Sequence, residues 1–184
     1  MTTDLAQLTA FFPDRIPDRN LWLRPGLMSS DEIEWYTPPE IREAVVQALG
    51  GIVDLDPCAD PGRTFPATQH YTEQDNGLVR PWLGRVYMNP PYGRTISAWT
   101  TKLRDELRSG WATEAVALLP ARVDTTWWHE LAPPVVCVLR GRLRFSGYEQ
   151  SAPFPSAAAY FGPSRDRFMA AFSGLGLLYA SLAA

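Results

Sequence analysis

Cysteine and histidine are scarce in this chain of 184 residues. It contains two cysteines, Cys58 and Cys137, and two histidines, His70 and His129. A disulfide framework needs more cysteines, and a structural zinc site needs more Cys and His ligands at paired spacing. The sequence therefore argues against a disulfide-stabilised domain and predicts no metal site.

Long apolar runs and a secretion signal are also absent. No uninterrupted apolar stretch is long enough to span a bilayer, and the N-terminal residues do not follow the signal-peptide pattern. We therefore expect a cytoplasmic protein with no membrane partner. Hydrophobic residues make up 46% of the chain and charged residues 20%, an ordinary globular composition that can form one domain with a full core.

The net charge of −3 hides an uneven distribution of charge along the chain. Residues 1–79 contain 13 acidic and 5 basic residues, whereas residues 80–147 contain 5 acidic and 10 basic ones. A basic segment in a weakly acidic protein is typical of a surface that meets a polyanion from one side. Solvated helix faces would give the same counts, so charge alone does not identify the partner.

Apolar strands and amphipathic helices alternate along the chain. Thr37-Pro38-Pro39-Glu40 predicts a helix start with a Thr-x-x-Glu capping box, and Gly50-Gly51 predicts its end. Further helices are predicted at 96–107 and 165–176, with a short one through 125–132 capped by Asp124. Strands are predicted at 51–57, 85–89, 114–120 and 155–162, and a strand or a bent pair at 135–145. This alternation predicts an α/β fold with a mainly parallel sheet and helices on both faces.

The first 30 residues lack clear periodicity and contain turn signals at Pro13, Pro17 and Pro25-Gly26. They are interpreted as an N-terminal arm at 1–30, followed by one domain at 31–184. Ligands of parallel sheets bind beyond the carboxyl ends of the strands. Function is therefore expected where predicted strands end, at Asp56-Pro57-Cys58, Asn89-Pro90-Pro91-Tyr92 and Arg122.

The segment Asn89-Pro90-Pro91-Tyr92 suits recognition of an aromatic amine. Each proline ring fixes its own φ, and Pro91 also forces Pro90 into an extended conformation, so the Pro90 carbonyl is rigidly aimed. The Asn89 side chain adds a second acceptor, and two acceptors match the two hydrogens of a planar amino group. Tyr92 adds a flat surface for stacking. The pattern alone also fits a stiff strand exit with a buried tyrosine.

With this segment, the sequence resembles a known family, the phage-type DNA N6-adenine methyltransferases. NPPY at a strand end is the catalytic motif of amino-group methyltransferases that use S-adenosylmethionine. Other parts are similar in the same order, over roughly residues 30–172: EWYTPPEI (34–41), LDPCAD (55–60), DNGLVRPW (75–82), GRLRF (141–145) and SAPFPSAAAYFG (151–162).

The resemblance implies a Rossmann-like methyltransferase fold, S-adenosylmethionine as cofactor and the N6 amine of adenine in double-stranded DNA as target. It implies a bacterial or phage-infected host cell as the setting. The implied catalytic residues are Asn89, Pro90, Pro91 and Tyr92, with Tyr92 stacked on a flipped base. The implied cofactor contacts are Tyr36, Thr37, Pro38, Asp56, Pro57, Cys58, Asp75 and Asn89. Read without the resemblance, Asp56 and Asp75 also fit plain loop or turn carboxylates.

Arginines are the candidate DNA contacts. Arg140, Arg142 and Arg144 alternate along the predicted strand 135–145 and would share one face, as a ladder facing phosphates or as a solvated face. Arg122 follows another strand. Residues 141–156, with Phe145 and Tyr148, are the candidate segment for reading DNA sequence.

The sequence also departs from the family pattern. The turn after the first strand, Cys58-Ala59-Asp60-Pro61-Gly62, has one glycine instead of a glycine-rich loop. Two alternatives therefore remain open: an NPPY methyltransferase of another amine or amide, such as RNA guanine or protein glutamine, and a non-catalytic DNA-binding relic of the family.

Overall fold

The structure, a computed structural model, describes residues 37–144 and 152–182. The chain divides into two compact units, Met1–Glu32 and Ile33–Ala184, and every described residue belongs to the second. The predicted arm at 1–30, the cofactor contact Tyr36, and Phe145 and Tyr148 lie outside the described residues. The domain boundary after residue 30 stays a prediction.

The described residues form four α-helices and seven strands. The helices are α1 (Pro39–Ala48), α2 (Ile96–Ser109), α3 (Thr126–Leu131) and α4 (Arg165–Phe172). The strands are β1 (Leu55–Asp56), β2 (Gln69–His70), β3 (Gly84–Met88), β4 (Ala112–Pro120), β5 (Val135–Leu139), β6 (Ser156–Phe161) and β7 (Gly176–Ala180). A single 3₁₀ turn, Gly77–Val79, precedes β3.

All seven strands belong to one sheet with the order β2-β1-β3-β4-β6-β5-β7. The pairs β1–β2, β1–β3 and β3–β4 are parallel. β6 lies antiparallel between β4 and β5, and β7 is antiparallel to β5. Five strands therefore point the same way, which confirms the predicted α/β fold with a mainly parallel sheet. We name the edge where these five strands end the carboxyl edge, and the opposite one the amino edge.

The order of the strands creates a switch point between β1 and β3. From β1 the chain pairs outward with β2, and it then returns to the other side of β1 to form β3. Crevices in open α/β sheets open at such a point, beyond the carboxyl ends of the strands. Asp56 is the last residue of β1 and Asn89 directly follows β3, so both lie at this crevice.

Helices cover both faces of the sheet. Tyr87, Val116 and Leu118 face one cluster, which includes apolar residues of α1 and α4. Val86 and Met88 face the other, which includes Ile96, Trp99 and Leu103 of α2. Adjacent residues of β3 enter opposite clusters because side chains alternate along a strand. β3 is thus buried on both faces, and this fixes the position of the segment that follows it.

The predicted capping box at the start of α1 is wrong. The helix begins at Pro39, the residue before it is Pro38, and no side chain caps it. The Thr37 hydroxyl is instead 2.6 Å from the hydroxyl of Tyr87 in β3. Buried hydroxyls need a partner, and Tyr87 is only 1% exposed. The Thr37 side chain, predicted to cap the helix, therefore forms a tertiary hydrogen bond with Tyr87 instead.

The C-terminal third differs from prediction in two places. β5 ends at Leu139, so Arg142 and Arg144 do not lie on a strand and the predicted ladder is wrong. Gly141 has φ +74° and turns the chain, after which Leu143 is buried while its arginine neighbours are exposed. The last helix ends at Phe172 rather than at 176, and the edge strand β7, which the sequence did not predict, follows it.

Residues 37–144 and 152–182 contain neither a membrane span nor a metal-binding cluster. No helix there combines the length and apolarity that crossing a membrane requires. Nor do these ranges hold a group of three or more His, Cys, Asp or Glu side chains placed to bind a metal ion.

Candidate active site

The segment after β3 presents a rigid carbonyl at the carboxyl edge. Pro90 is buried, and Asn89 and Pro91 are half-buried. Neither proline has an amide hydrogen, and both rings restrict the backbone. No backbone amide of the described residues bonds to the Pro90 carbonyl. The two prolines therefore hold this carbonyl in place without using it in a backbone hydrogen bond there.

Tyr92 is turned back onto the segment to which it belongs. Its hydroxyl donates to Asn89 Oδ1 at 2.9 Å and is 3.4 Å from the Leu118 carbonyl oxygen in β4. Its ring meets the edge of Phe154, with 5.2 Å between ring centroids. Burial raises the pKa of Tyr92 well above its usual range, so the hydroxyl stays a donor. Asn89, predicted to bind the target amine, and Tyr92, predicted to stack on the target base, are thus hydrogen-bonded to each other.

Asp56 places a buried carboxyl at the end of β1. It is 4% exposed, and its Oδ1 accepts a hydrogen bond from the Cys58 amide at 3.0 Å. Burial raises its pKa to about 7; the Cys58 bond opposes this shift and the charge of Asp60 adds to it. No cationic side chain of the described residues forms an ion pair with Asp56. A cationic ligand would relieve this cost of burial.

Tyr87 joins these groups into one buried region, and sequence analysis missed it. Its ring stacks on Phe65 with 3.9 Å between centroids, and its hydroxyl contacts Thr37. Burial raises its pKa well above the usual range, and the nearby Tyr92, Asp56 and Cys58 add to the shift. Its place in an apolar strand directly before NPPY was the available signal.

The same region makes Cys58 a poor nucleophile. Burial raises the pKa of its thiol well above the usual range, and the charge of Asp56 raises it further. A thiol with a raised pKa stays protonated at neutral pH, whereas the thiolate is the reactive form. Of the sequence-predicted residues, Thr37, Asp56, Cys58 and Tyr92 interact with Tyr87, and Asn89 is hydrogen-bonded to Tyr92.

The predicted contact Asp75 lies in a loop that packs against the end of β1. A Cβ on Gly77 would lie 2.2 Å from the Pro57 carbonyl oxygen, so only glycine allows this approach. The Asp75 carboxylate accepts hydrogen bonds from the Thr72 amide and hydroxyl, at 3.0 and 2.9 Å, and these bonds lower its pKa. The loop reaches the carboxyl edge, and its aspartate closes a turn there.

The predicted DNA contacts lie at the carboxyl edge as well. Arg122 follows β4, and Arg140, Arg142 and Arg144 follow β5; all four are exposed. β4 and β5 run in the same direction as β1 and β3. The four arginines therefore lie at the edge that carries Asn89 and Asp56. The three that follow β5 lie in the segment after the strand and not on the strand itself.

Comparison with known proteins gives one family. A family model described as DNA N-6-adenine-methyltransferase (Dam) matches residues 26–159, nearly three quarters of the chain. Comparison with curated proteins finds no match. The matched range includes every site residue described above. Because this match covers more than half of the chain and includes the acceptors after β3 and the buried carboxyl at the end of β1, the chain belongs to the Dam family of DNA N-6-adenine methyltransferases.

Proposed function

We propose that this protein transfers a methyl group from S-adenosylmethionine to the N6 amine of adenine in double-stranded DNA. The observation that carries the proposal is the pair of acceptors, Asn89 Oδ1 and the Pro90 carbonyl, at the switch point beside Asp56. The family match supports adenine as the base, and the arginines of the carboxyl edge support a polyanionic partner.

The residues at the crevice fit S-adenosylmethionine. The cofactor has an ammonium group, and Asp56 offers a buried carboxylate that no cation of the described residues pairs with. When bound, the cofactor supplies a methyl group made electrophilic by its sulfonium. The remaining proposed contacts are Thr37, Pro38, Pro57, Cys58, Asp75 and Asn89, together with Tyr36, which lies outside the described residues.

Asn89 and Pro90 would activate the amine. The lone pair of an exocyclic adenine amine is delocalised into the ring, so the nitrogen is a weak nucleophile. Accepting both its hydrogens at Asn89 Oδ1 and the Pro90 carbonyl favours a more tetrahedral nitrogen with a more localised lone pair. Because the prolines fix these acceptors in advance, little reorganisation is needed when charge develops. After methyl transfer, the N6 nitrogen releases its extra proton.

Two further features follow from the position of the site. A base inside a duplex cannot reach a pocket at the end of a strand, so the target adenine has to flip out, where the Tyr92 ring can stack on it. The exposed Arg122, Arg140, Arg142 and Arg144 would bind phosphates around it, which positions the DNA without reading its sequence.

Long-read modification mapping of host DNA tests the proposal. DNA from cells that express the protein is compared with DNA from cells that express the Asn89→Ala variant and from cells with neither. We expect N6-methyladenine in a defined sequence context with the wild type alone. The map also reveals whether methylation is site-specific and whether it matches the site of a restriction enzyme.

Analysis of RNA and protein from the same cells, together with a DNA-binding assay, separates the alternatives. Methylation found on RNA guanine or protein glutamine, with DNA unmodified, would replace adenine as the target. A chain that binds DNA but leaves no methyl group on any of these would be a non-catalytic relic. Either result would refute the proposed activity.

A further inference from the structure

The hydroxyl of Tyr92 occupies the acceptor that the target amine needs. It lies 2.9 Å from Asn89 Oδ1, which is the distance at which an amine nitrogen would also bind. The Leu118 carbonyl at 3.4 Å and the edge of the Phe154 ring, 5.2 Å away between centroids, hold the tyrosine in this inward position. The inward ring is half-buried and packs against both core clusters.

This position conflicts with the contact proposed for the base. An amide oxygen has two lone pairs and accepts two donors in principle. A second donor, however, draws electron density away from the oxygen and weakens its hold on the amine. In addition, a ring whose hydroxyl touches Oδ1 fills the space from which a flipped base approaches that atom.

We propose that the Tyr92 hydroxyl caps Asn89 in the DNA-free enzyme and that the amine of the flipped base has to displace it, so that the cap lowers the affinity for the target base. The inference rests on the proposed function and adds a step to it. A flipped base with an amine replaces the hydrogen bond that the tyrosine gives up. A base without an amine offers the Asn89 oxygen no donor in exchange, so Tyr92 keeps its inward position and its hydrogen bond in that complex.

The Tyr92→Phe variant separates the cap from the stacking ring. It keeps the aromatic ring and removes the hydroxyl, so the tyrosine cap on Asn89 Oδ1 is gone before DNA binds. The readout is the dissociation constant, in the presence of S-adenosylhomocysteine, for two duplexes. One carries adenine at the mapped target position, and the other carries purine, which lacks the 6-amino group.

In the wild type, the amine forms a hydrogen bond with Asn89 only when the Tyr92 hydroxyl gives up its own. The amine therefore adds less binding free energy than a full hydrogen bond would. In Tyr92→Phe the ratio of the purine to the adenine dissociation constant should therefore rise by about 2- to 10-fold, the range that one hydrogen bond gives. The adenine duplex itself should bind more tightly. A second variant, Phe154→Leu, removes the ring that holds Tyr92 inward and should shift the adenine affinity in the same direction, by less.

Tyr179→Phe is the matched control, because it removes a hydroxyl from a tyrosine that is 57% exposed on β7. It should leave the ratio unchanged. An unchanged or lower ratio in Tyr92→Phe would overturn the inference, and a lower one would mean that the hydroxyl holds Asn89 in its productive position. If the wild type neither methylates adenine nor binds the adenine duplex, the proposed function fails instead, so the two failures are distinguishable.

Discussion

Two aspartates in one short stretch, Asp54 and Asp56, meet opposite environments. Asp54, at the amino edge, accepts hydrogen bonds from the amide and the Nε of Arg85, at 2.7 and 3.1 Å. Burial works to raise the pKa of Asp54, but the bonds and charge of Arg85 outweigh it and lower the pKa. Asp56, at the carboxyl edge, is more deeply buried and has a raised pKa. Two residues apart, one carboxylate is stabilised by an arginine and the other has no cation among the described residues.

The same contrast holds for other buried polar groups of the two edges. Near the amino edge, Glu114 in β4 is bound by Arg167 of α4 at 2.6 Å and by the Tyr160 hydroxyl. Arg167 also donates to the Ala48 carbonyl at the end of α1, at 2.7 Å. The amino edge thus satisfies its charges and ties the helices to the sheet. Among the described residues, the carboxyl edge leaves Asp56 without a cation and the Pro90 carbonyl without a backbone hydrogen bond, as expected where binding takes precedence over stability.

The largest expected effect is at Asn89. Asn89→Ala should lower the methylation rate on the order of 100- to 1000-fold, because the variant lacks one of the two preorganised acceptors. Calorimetric titration should show a much smaller loss of cofactor affinity than of rate, because Asn89 is only one of the proposed cofactor contacts, and thermal unfolding should change little. Retention of more than about a tenth of the wild-type rate would remove Asn89 from its assigned role.

Asp56→Asn should weaken S-adenosylmethionine binding by at least about 30-fold, the lower range for truncating one partner of a buried charge pair. Calorimetry measures this directly. Asp54→Asn is the matched control, since it makes the same change two residues away at the amino edge. Wild-type cofactor affinity in the Asp56 variant would assign the ammonium group to another acid.

The pH dependence of folding should distinguish Asp56 from ordinary carboxylates. Its folded pKa of about 7 lies above the ordinary value of 3.8. Between these values the native state keeps a proton that the unfolded chain has released. The contribution of Asp56 to stability therefore falls as pH rises through this window, by at most about 1.4 kcal/mol for each pH unit.

Denaturant unfolding of the wild type and of Asp56→Asn at pH 5 and pH 7 isolates this contribution. The stability of the variant relative to the wild type should be greater at pH 7 than at pH 5. Cofactor binding should show the opposite preference and strengthen towards pH 7, because only the ionised carboxyl pairs with an ammonium. Equal pH profiles for the two proteins would show that Asp56 is not the group described.

Arg167→Met, at the amino edge, should lower the free energy of unfolding and leave cofactor affinity unchanged. Arg167→Met leaves Glu114 buried without its cation and should cost about 1–2 kcal/mol, a value reduced because the Arg167 side chain is 40% exposed. Denaturant unfolding measures this cost, with the exposed Arg165→Met as control. A lower cofactor affinity at unchanged stability would contradict the prediction that the amino edge contributes to stability and the carboxyl edge to binding.

The smallest effect is expected from the exposed arginines. Alanine at Arg140, Arg142 and Arg144 should flatten the salt dependence of DNA binding by roughly 0.9 in log–log slope for each phosphate that an arginine no longer neutralises. Fluorescence anisotropy over a salt series gives the slope. The same slope in the triple variant and the wild type would place the DNA elsewhere.

Periodicity and turn chemistry in the sequence predicted most of the fold. Ile96, Trp99 and Leu103 recur at helical spacing and are all buried in α2, and the apolar runs before Asn89 and Pro120 are strands. β7 was missed because its exposed Leu177 and Tyr179 gave no sign of pairing with a strand 40 residues earlier. The arginine ladder failed because one glycine, Gly141, turns the chain where alternation alone predicted extension.

The site was predictable in its positions and less so in its contacts. Strand ends and the family resemblance pointed to Asp56 and Asn89, which do lie at the switch point. The contact between Thr37 and Tyr87 was not predictable from local sequence, because the buried Tyr87 hydroxyl that Thr37 contacts is 50 residues away. The inward position of Tyr92 depends on Phe154 and Leu118, neither of which is close to it in sequence.

The strand order has a consequence for the order of synthesis. β5 leaves the ribosome before β6, yet in the sheet it lies beyond β6, and its two neighbours are β6 and β7. Every strand with which β5 pairs is therefore made after it. β4, next to the catalytic segment, also waits for β6 on one side. The nascent chain therefore holds two apolar strands with open edges until Ser156–Phe161 has emerged. That strand joins β4 to β5, and the outer edge of β5 stays open until β7 follows.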